Sequence, residues 1–405
     1  MFELLAANGL RPLMLKGKAL LPVVQGGMGV GVSAHRLASA VARTGALGTI
    51  ASVDLRHHHA DLVDAGRGVR DRVILEGHNL VALDREVRAA RAAAGGHGAI
   101  AVNVMKAVDQ HPALIRQACE SGADAIVMGA GLPLDLPELA AGFPDVALVP
   151  ILSDARGVAL VFKRWMRKGR LPDAVVIEHP AHAGGHLGAA RIEDLGDGRF
   201  DFARVMEEIQ TALRELGLAP DAVPFIAAGG VNSHEQVREL LSIGYSAVQL
   251  GTAFAVSEEG DAHPNFKRVL AEAGPADMVE FISVAGLPAR AVRTPWLDRY
   301  LSQESRLREK AAQRVIEVKE ALRETAGKCA VALNCLSSCG LRDGISKFGQ
   351  FCIDSQLAAA MRGEVSKGLF FRGSASLPFG DAVRPARELV EYLLSGRMPL
   401  TLGRR

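Results

Sequence analysis

The sequence has little of what marks a secreted, membrane-bound or nucleic-acid-binding protein. Lysine and arginine total 47 residues against 45 aspartate and glutamate residues, and no long block of one sign occurs. This balance argues against nucleic acid or a membrane surface as a partner and favours a small, roughly neutral molecule. No apolar run is long enough to span a membrane, and residues 1–21 lack the unbroken apolar core of a secretory signal. We therefore expect a soluble cytoplasmic protein.

Cysteine is also scarce, with five residues in the chain, of which four lie close together in the last eighty or so positions. Cys119 falls inside a helical pattern and is typical of an ordinary core residue. In a cytoplasmic protein, a cluster of the other four indicates metal or redox chemistry more often than disulfides. Four thiolates suit a [4Fe–4S] cluster or a zinc ion, and unligated thiols stay open as an alternative. The clustered residues are Cys329, Cys335, Cys339 and Cys352.

What the chain does contain is a regular alternation of short apolar strands and helical patterns. Continuous apolar strands separated by helices indicate a parallel sheet that is buried on both faces. Eight such units in about 250 residues match the size of a closed (β/α)₈ TIM barrel, which we predict for residues 1–300 of this α/β protein. The predicted strands are Leu21–Gln25, Leu47–Ser52, Ala99–Met105, Ala125–Met128, Ala147–Leu152, Ala174–Ile177, Pro224–Ala228 and Ala247–Leu250.

The ends of the seventh and eighth strands predict a phosphate site. Ligands of such barrels lie over the carboxyl ends of the strands, and a phosphate is commonly held after the last two. Gly229, Gly230, Gly251 and Thr252 occupy these positions. Glycine lets backbone N–H groups approach an anion closely, and the threonine hydroxyl can donate a hydrogen bond. The sequence therefore predicts a phosphorylated cofactor.

The sixth strand opens into the stretch around which the chain is organised, residues 178–188 with the sequence EHPAHAGGHLG. Adjacent glycines let the backbone approach a planar or anionic ligand. A histidine directly beyond them can provide a base near neutral pH. This composition is typical of an active site.

Two other patterns favour simpler explanations. Residues 29–34 follow the G-x-G-x-x-A form of a dinucleotide-binding fingerprint, with Asp54 in the position of a ribose-binding acid. Glycine-rich turns after strands are common, so this match carries little weight. Three consecutive histidines, residues 57–59, suggest a metal site, but consecutive residues of a helix point in different directions. We expect them on a solvated surface.

Four motifs in order resemble the nitronate monooxygenase family, formerly called 2-nitropropane dioxygenases. They are PVVQGGM at residues 22–28, AGGH at 183–186, AAGGV at 227–231 and QLGTAF at 249–254. The resemblance runs through about the first 300 residues and includes GLPARA at 286–291, which is similar to the family's segment after the barrel.

This resemblance implies an FMN cofactor and a catalytic role for His186. The family pattern has the phosphate on the glycines of the last two strands and on Thr252, and His186 facing the substrate. There it takes the proton α to a nitro group or assists the oxidation of a nitronate, and the electrons pass through the flavin to O₂. Ser153, after the fifth strand, is a further cofactor-binding candidate. The residues implied around the isoalloxazine ring are Gly26, Gly27, Met28, Asn103, Gly184 and Gly185.

Two further hypotheses stay open. Many family members have an acidic residue before Ala-Gly-Gly-His, where this chain has His182. Flavin-dependent enoyl reductases share the barrel and a similar Gly-Gly-His, so an FMN-dependent C=C reductase fed by NAD(P)H or an iron–sulfur centre is the alternative. A flavin-binding protein without turnover is the third. The enzymatic hypotheses imply a small-molecule substrate with O₂ or an electron donor as partner.

The last hundred residues, 301–405, are predicted to form a helical extension that contains the four cysteines and lies over the barrel mouth as a lid. Residues 302–326 have the charged composition of a solvated helix. Residues 368–374 are typical of a strand and turn, and residues 385–394 of an amphipathic helix.

Overall fold

The structure is a computed structural model that describes residues 1–69, 71–318, 336, 337, 339 and 351–399. Its strands, numbered along the chain, are β1 Leu13–Leu15, β2 Lys18–Leu20, β3 Val23–Gln25, β4 Leu47–Ala51, β5 Ala99–Met105, β6 Ala125–Gly129, β7 Ala147–Leu152, β8 Val175–Glu178, β9 Gly185–His186, β10 Phe225–Ala228, β11 Ala247–Leu250, β12 Met278–Ile282 and β13 Pro288–Val292. Its helices are α1 Phe2–Ala7, α2 His35–Arg43, α3 Ala60–Ala65, α4 Arg72–Ala94, α5 His111–Glu120, α6 Leu136–Leu139, α7 Ala155–Met166, α8 Phe202–Glu215, α9 His234–Ile243, α10 Thr252–Ala255, α11 Pro264–Glu272, α12 Pro295–Val318, α13 Ile353–Met361 and α14 Ala386–Ser395.

A closed barrel of eight parallel strands confirms the predicted TIM fold. The order is β3, β4, β5, β6, β7, β8, β10 and β11, and β11 pairs with β3 to close the ring. These are the eight predicted strands, with ends that differ by at most two residues. Alternation explains their apolar composition, because one set of side chains fills the barrel and the other packs under the helices.

Small side chains fill the barrel interior, with Ala99, Ala101 and Ala125 among them. The antiparallel hairpin of β1 and β2 closes the barrel at the amino ends of its strands. Its residues Leu13 and Leu20 are fully buried against this interior cluster. The hairpin was not predicted, because its two strands are only three residues long.

The outer layer of helices is completed by the last helix of the described chain. Residues after β11 form the short helix α10 and then leave the barrel wall, and α14 returns to pack against α2 and α9. It therefore fills the place of the eighth barrel helix. The predicted helix 385–394 agrees with α14 within one residue, whereas the division of the chain at residue 300 stays a prediction.

Two segments cover the carboxyl ends of the barrel strands. One is an antiparallel sheet in the order β12, β13, β9. The other is the stretch after α13, in which Phe371 forms a single bridge with Ala291 of β13. The helix predicted over residues 302–326 begins earlier than expected, at Pro295, and the predicted residues 319–326 lie outside the described part of the chain. Among the described helices, none combines the length and apolar character that crossing a membrane requires.

Candidate active site

A single large cavity of about 810 Å³ lies over the carboxyl ends of the strands. Its floor is made of strand ends and the loops after them, and its roof includes residues of the segment 353–377. All twelve predicted catalytic and cofactor-binding residues line it. They are Gly26, Gly27, Met28, Asn103, Ser153, Gly184, Gly185, His186, Gly229, Gly230, Gly251 and Thr252.

The loop after β3 crosses the floor in close contact with its neighbours. A Cβ built on Gly27 would lie 2.3 Å from the Cβ of Asn103, so no larger residue fits without movement. Asn103 is itself held, since its side-chain amide donates to the Val127 carbonyl at 3.2 Å. Just before the loop, the fully buried Gln25 exchanges hydrogen bonds of 2.8 and 3.0 Å with the backbone of Thr49. This region can accept a flat ring lying directly on the backbone.

The ends of β10 and β11 form the cradle predicted for a phosphate. Gly229 and Gly230 have φ angles of +96° and +83°, in the left-handed region that favours glycine. A Cβ on Gly230 would lie 2.9 Å from the Cβ of His182. The Thr252 hydroxyl accepts a 3.1 Å hydrogen bond from the Gly373 N–H, which leaves its proton available for an anion. The residues present therefore fit a phosphate group.

The stretch 372–376 crosses directly above this cradle. The Ser374 N–H donates to the His182 carbonyl at 3.2 Å, and the Ser374 hydroxyl lies 3.1 Å from Nδ1 of His182. Asn232 donates to both the carbonyl and the hydroxyl of Ser376, at 3.0 and 2.9 Å. The segment joins the loops after β8, β10 and β11, and its two hydroxyls were not among the predicted site residues.

His186 is positioned by the sheet that covers the barrel. As part of β9 it pairs with Ala289 of β13, and the preceding Gly185 pairs with Arg290. The buried Arg290 donates to the Ala183 carbonyl at 2.6 Å and forms an ion pair with Glu280. The loop that carries His186 is thus fixed on both sides.

The imidazole of His186 has one polar partner in the described structure and an aromatic neighbour. Its Nε2 lies 2.7 Å from the hydroxyl of the fully buried Ser283, and its ring centroid lies 5.9 Å from that of Phe371. Burial lowers the pKa of His186 to about 4, so the imidazole is neutral at physiological pH. In this state it can accept or donate a hydrogen bond.

Glu178, Gln249 and Ser283 are further polar residues of the site that the sequence analysis did not name. Glu178 directly follows the predicted strand Ala174–Ile177 and is the last residue of the observed strand, and Gln249 is the second-to-last residue of the predicted strand Ala247–Leu250. A period-2 count along these strands would have turned both toward the barrel axis. Ser283 has no comparable signal, because only the long-range pairing of β13 with β9 brings it to His186.

The residues that match the dinucleotide-binding fingerprint take part in structural contacts. At the start of α2, where a pyrophosphate would bind, the Asp261 carboxylate accepts hydrogen bonds from the N–H groups of Ala34 and Leu37, at 2.8 and 3.1 Å. The helix N-terminus therefore already has an anion. Asp54 is fully buried and pairs with Arg56 at 2.6 Å and with His57 at 3.0 Å. Its carboxylate is therefore not available to bind a ribose.

The three consecutive histidines are partly buried, so their prediction as a solvated surface is wrong. They do point in different directions. His57 contacts Asp54, His58 lies 2.8 Å from the Gly31 carbonyl, and His59 lies 3.0 Å from Glu86. Each has a separate structural partner.

The four predicted metal-binding cysteines are only partly described. Cys339 and Cys352 both line the cavity, whereas Cys329 and Cys335 lie outside the described residues. Cys352 accepts a hydrogen bond from Ser355 at 3.3 Å. Within the described ranges, no group of three or more His, Cys, Asp or Glu side chains is arranged to hold a metal ion. Nothing in this geometry supports the iron–sulfur cluster. Cys119 is buried in the core, as predicted, and burial raises its pKa to about 12.

Comparison with known proteins decides the family. The model of the family described as nitronate monooxygenase matches residues 12–394. The chain belongs to the nitronate monooxygenase family. This confirms the resemblance found in the four motifs, and the family is one of flavin-dependent oxidoreductases, as predicted.

Curated relatives match shorter stretches. A probable nitronate monooxygenase of Bacillus subtilis is 32% identical over 31% of this chain and 33% of its own length. A nitronate monooxygenase of Pseudomonas aeruginosa is 32% identical over 30% of this chain and 31% of its own. The matches thus span about a third of the length of these relatives.

Solved structures resemble the chain over nearly its whole length. FabK from Thermotoga maritima superposes with a TM-score of 0.59 at 20% identity, covering 92% of this chain and 91% of its own. A nitroalkane oxidase from Streptomyces ansochromogenes gives 0.57 at 20% identity over 96% of both chains. The enoyl reductase domain of MlnA from Bacillus amyloliquefaciens gives 0.60 at 12% identity, covering 96% of this chain and 94% of its own. At such identities these likenesses concern the fold.

Proposed function

We propose that the protein oxidises alkyl nitronates with O₂, with FMN bound in the cavity and His186 as the catalytic residue. The observation that carries this is the placement of the neutral His186 imidazole in the cavity whose floor and rim are the glycine loops at 26–27, 184–185 and 229–230. In this arrangement Gly229, Gly230, Gly251 and Thr252 would hold the phosphate, and the loop after β3 would hold the ring. Bound FMN supplies the electron acceptor of the reaction.

The low pKa of His186 favours a nitronate over a neutral nitroalkane as substrate. An imidazole whose conjugate acid has a pKa of about 4 is a weak base, so it abstracts the α-proton of a nitroalkane poorly. A nitronate has already lost that proton. His186 then has to bind and orient the anion, with Ser283 fixing the ring at 2.7 Å. We expect turnover on nitronates to exceed turnover on the parent nitroalkanes.

The direct test is anaerobic mixing of the FMN-bound protein with propyl-2-nitronate. Bleaching of the flavin, followed by oxygen consumption when air is admitted, supports the proposal. Bleaching by NADH or NADPH without nitronate favours the C=C reductase, whose fold is shared by the MlnA domain. Bound flavin that responds to neither favours a protein without turnover.

His186→Asn tests the catalytic role. Asparagine keeps a hydrogen-bonding group toward Ser283 but removes the imidazole. We expect FMN to be retained and kcat on nitronate to fall roughly 100-fold or more. His97→Asn is the matched control, since His97 is exposed in a loop away from the cavity. Near wild-type kcat in the His186 variant would remove this residue from the mechanism.

The four-cysteine prediction is tested separately. A [4Fe–4S] cluster requires stoichiometric iron and acid-labile sulfide in protein that is purified without air. Their absence would rule out the cluster and leave the flavin as the redox group of the proposal.

A further inference from the structure

Glu178 lies on the floor of the cavity, in the uppermost layer of the barrel interior. Along β8, Val175 and Ile177 pack outward beneath the helices, whereas Val176 packs into the barrel. Alternation therefore turns Glu178 inward as well, and it lines the cavity. The same count along β11 turns Gln249 inward, between the outward Val248 and Leu250.

Glu178 and Gln249 occupy one row of the barrel wall. Both are paired in register with Ala228 of the strand between them. Two strand spacings separate their backbones, which is roughly 9–10 Å. The small side chain of Ala228 leaves the space between the two polar groups open.

Neither side chain has a polar partner among the residues that the structure describes, whereas Asn103 in the same layer donates to Val127. Both side chains are partly exposed toward the cavity, so a ligand bound there can supply the polar partner that the protein does not. Burial raises the pKa of Glu178 to about 7, and no charged neighbour contributes to this shift. The carboxylic acid of Glu178 and the amide of Gln249 can therefore offer hydrogen-bond donors and acceptors to a ligand in the cavity above them.

We propose that Glu178 in its acid form donates a hydrogen bond, together with Gln249, to the polar edge of the bound isoalloxazine ring, and that the ionised fraction of Glu178 takes up a proton from solvent when the ring is reduced. That edge carries carbonyl and nitrogen acceptors, and reduction of the ring adds electron density to it. A carboxylate beside this edge would repel the added electron density, whereas a carboxylic acid that donates to the edge would stabilise it. In this role Glu178 contacts the cofactor directly and changes its own protonation with the charge of the ring. This inference rests on the FMN site proposed above.

The other ionisable groups around the cavity have to be separated from Glu178 in any pH experiment. They are Asp154, Arg156, His182, His186, Arg199, Asp354, Arg372 and the thiols of Cys339 and Cys352. None of them perturbs the Glu178 carboxyl, whose shift is due to burial alone. Glu178→Gln removes the ionisable carboxyl of Glu178, leaves the other groups unchanged and keeps a hydrogen-bond donor of the same size and shape.

The experiment compares FMN affinity and the pH dependence of the flavin midpoint potential in wild type, Glu178→Gln, Glu178→Ala and the surface control Glu120→Gln. We expect the glutamine variant to bind FMN within about threefold of wild type, because the amide still donates. We expect the alanine variant to bind roughly 2- to 10-fold more weakly. Above about pH 7, the potential should fall more steeply with pH in wild type than in Glu178→Gln.

Each outcome decides the inference. Superimposable pH profiles for wild type and Glu178→Gln would overturn it, as would complete loss of FMN from a glutamine variant whose thermal unfolding matches wild type. A slope that changes only in the Glu178 variants, and not in Glu120→Gln, supports it. If wild type itself binds no FMN, the proposed function fails as well. If wild type binds FMN normally and the Glu178 variants behave like wild type, the inference fails while the proposed function stands.

Discussion

At the scale of single residues, the chemistry of the site depends on how burial changes two ionisable side chains. Burial lowers the pKa of His186 to about 4 and raises that of Glu178 to about 7. Both shifts favour the neutral form, as a poorly solvated cavity requires. Well below neutral pH, an anionic substrate then meets little negative charge from Glu178.

The shift of His186 predicts the pH dependence of nitronate oxidation. Because its pKa is depressed, His186 is neutral at every pH above about 4, so its protonation should not reduce kcat/KM until the pH approaches that value. The measurement is kcat/KM against pH in both wild type and Glu178→Gln, with nitronate added from an alkaline stock. An acid limb near 6.5, the ordinary imidazole value, that persists in Glu178→Gln would contradict this.

Gly230 provides a second residue-scale prediction, for cofactor binding. Gly230→Ala adds a Cβ at 2.9 Å from His182 in a backbone with φ of +83°. We expect FMN to bind at least tenfold more weakly, since His182 or the cradle must move. Gly217→Ala is the matched control, because Gly217 has a φ of +74° but nothing within 4 Å of an added Cβ. Flavin fluorescence titrations measure both. Equal affinities in the two variants would place the phosphate elsewhere.

At the scale of elements, buried polar contacts fix the helices around the barrel. The Glu86 side chain of α4 is 1% exposed and contacts His35 of α2 at 2.7 Å and His59 at 3.0 Å. Although burial alone would raise it, hydrogen bonds from these imidazoles lower the pKa of Glu86. The hydrogen bond to Glu86 raises the pKa of His35. One carboxylate thus joins two helices and the turn after β4.

Glu86→Gln should lower the free energy of unfolding by about 3 kcal/mol, the cost of breaking a buried charged pair. Because the folded pKa of Glu86 is depressed, its stabilisation is complete above the ordinary 4.5 and is lost as the pH falls below it. His35 adds stability below its ordinary 6.5, which is lost as the pH rises through its raised folded value. Urea unfolding of wild type and variant, on both sides of pH 4.5, measures this.

The exposed Glu207 of α8 provides the control for that comparison as Glu207→Gln. Its cost should be about 0.5 kcal/mol or less. A deficit for Glu86→Gln that stays constant as the pH falls well below 4.5 would mean that packing, and not the charged pair, is responsible.

The sequence predicted the elements that repeat and missed those that depend on distant pairing. Eight apolar strands with intervening helices have a local signal, and so do the glycine-rich strand ends that meet in one cavity. The strand that carries His186 is two residues long and exists only because β13, about a hundred positions later, pairs with it. Ser283 contacts His186, and residues 372–376 reach the cavity, through contacts between equally distant parts of the chain. Such contacts cannot be predicted from a single sequence.

At the scale of the whole molecule, the chain closes its barrel with residues from the far end of the described structure. α14 packs between α2 and α9, and Leu393 on this helix is fully buried. Leu393→Ala should reduce the free energy of unfolding by about 2–5 kcal/mol. Leu160→Ala, on α7 at 38% exposure, is the control and should cost much less. Chemical denaturation of both proteins measures the difference, and similar costs would show that α14 adds little to the fold.

The stretch 372–376 and α14 leave the ribosome after every strand of the barrel has been made. Until then, the cradle at Gly229 and Gly230 has neither the serine-bearing segment above it nor a complete ring of helices around it. A nascent chain therefore cannot enclose its prosthetic group while it is being synthesised. Enclosure of a bound cofactor has to follow release or coincide with the final docking of these residues.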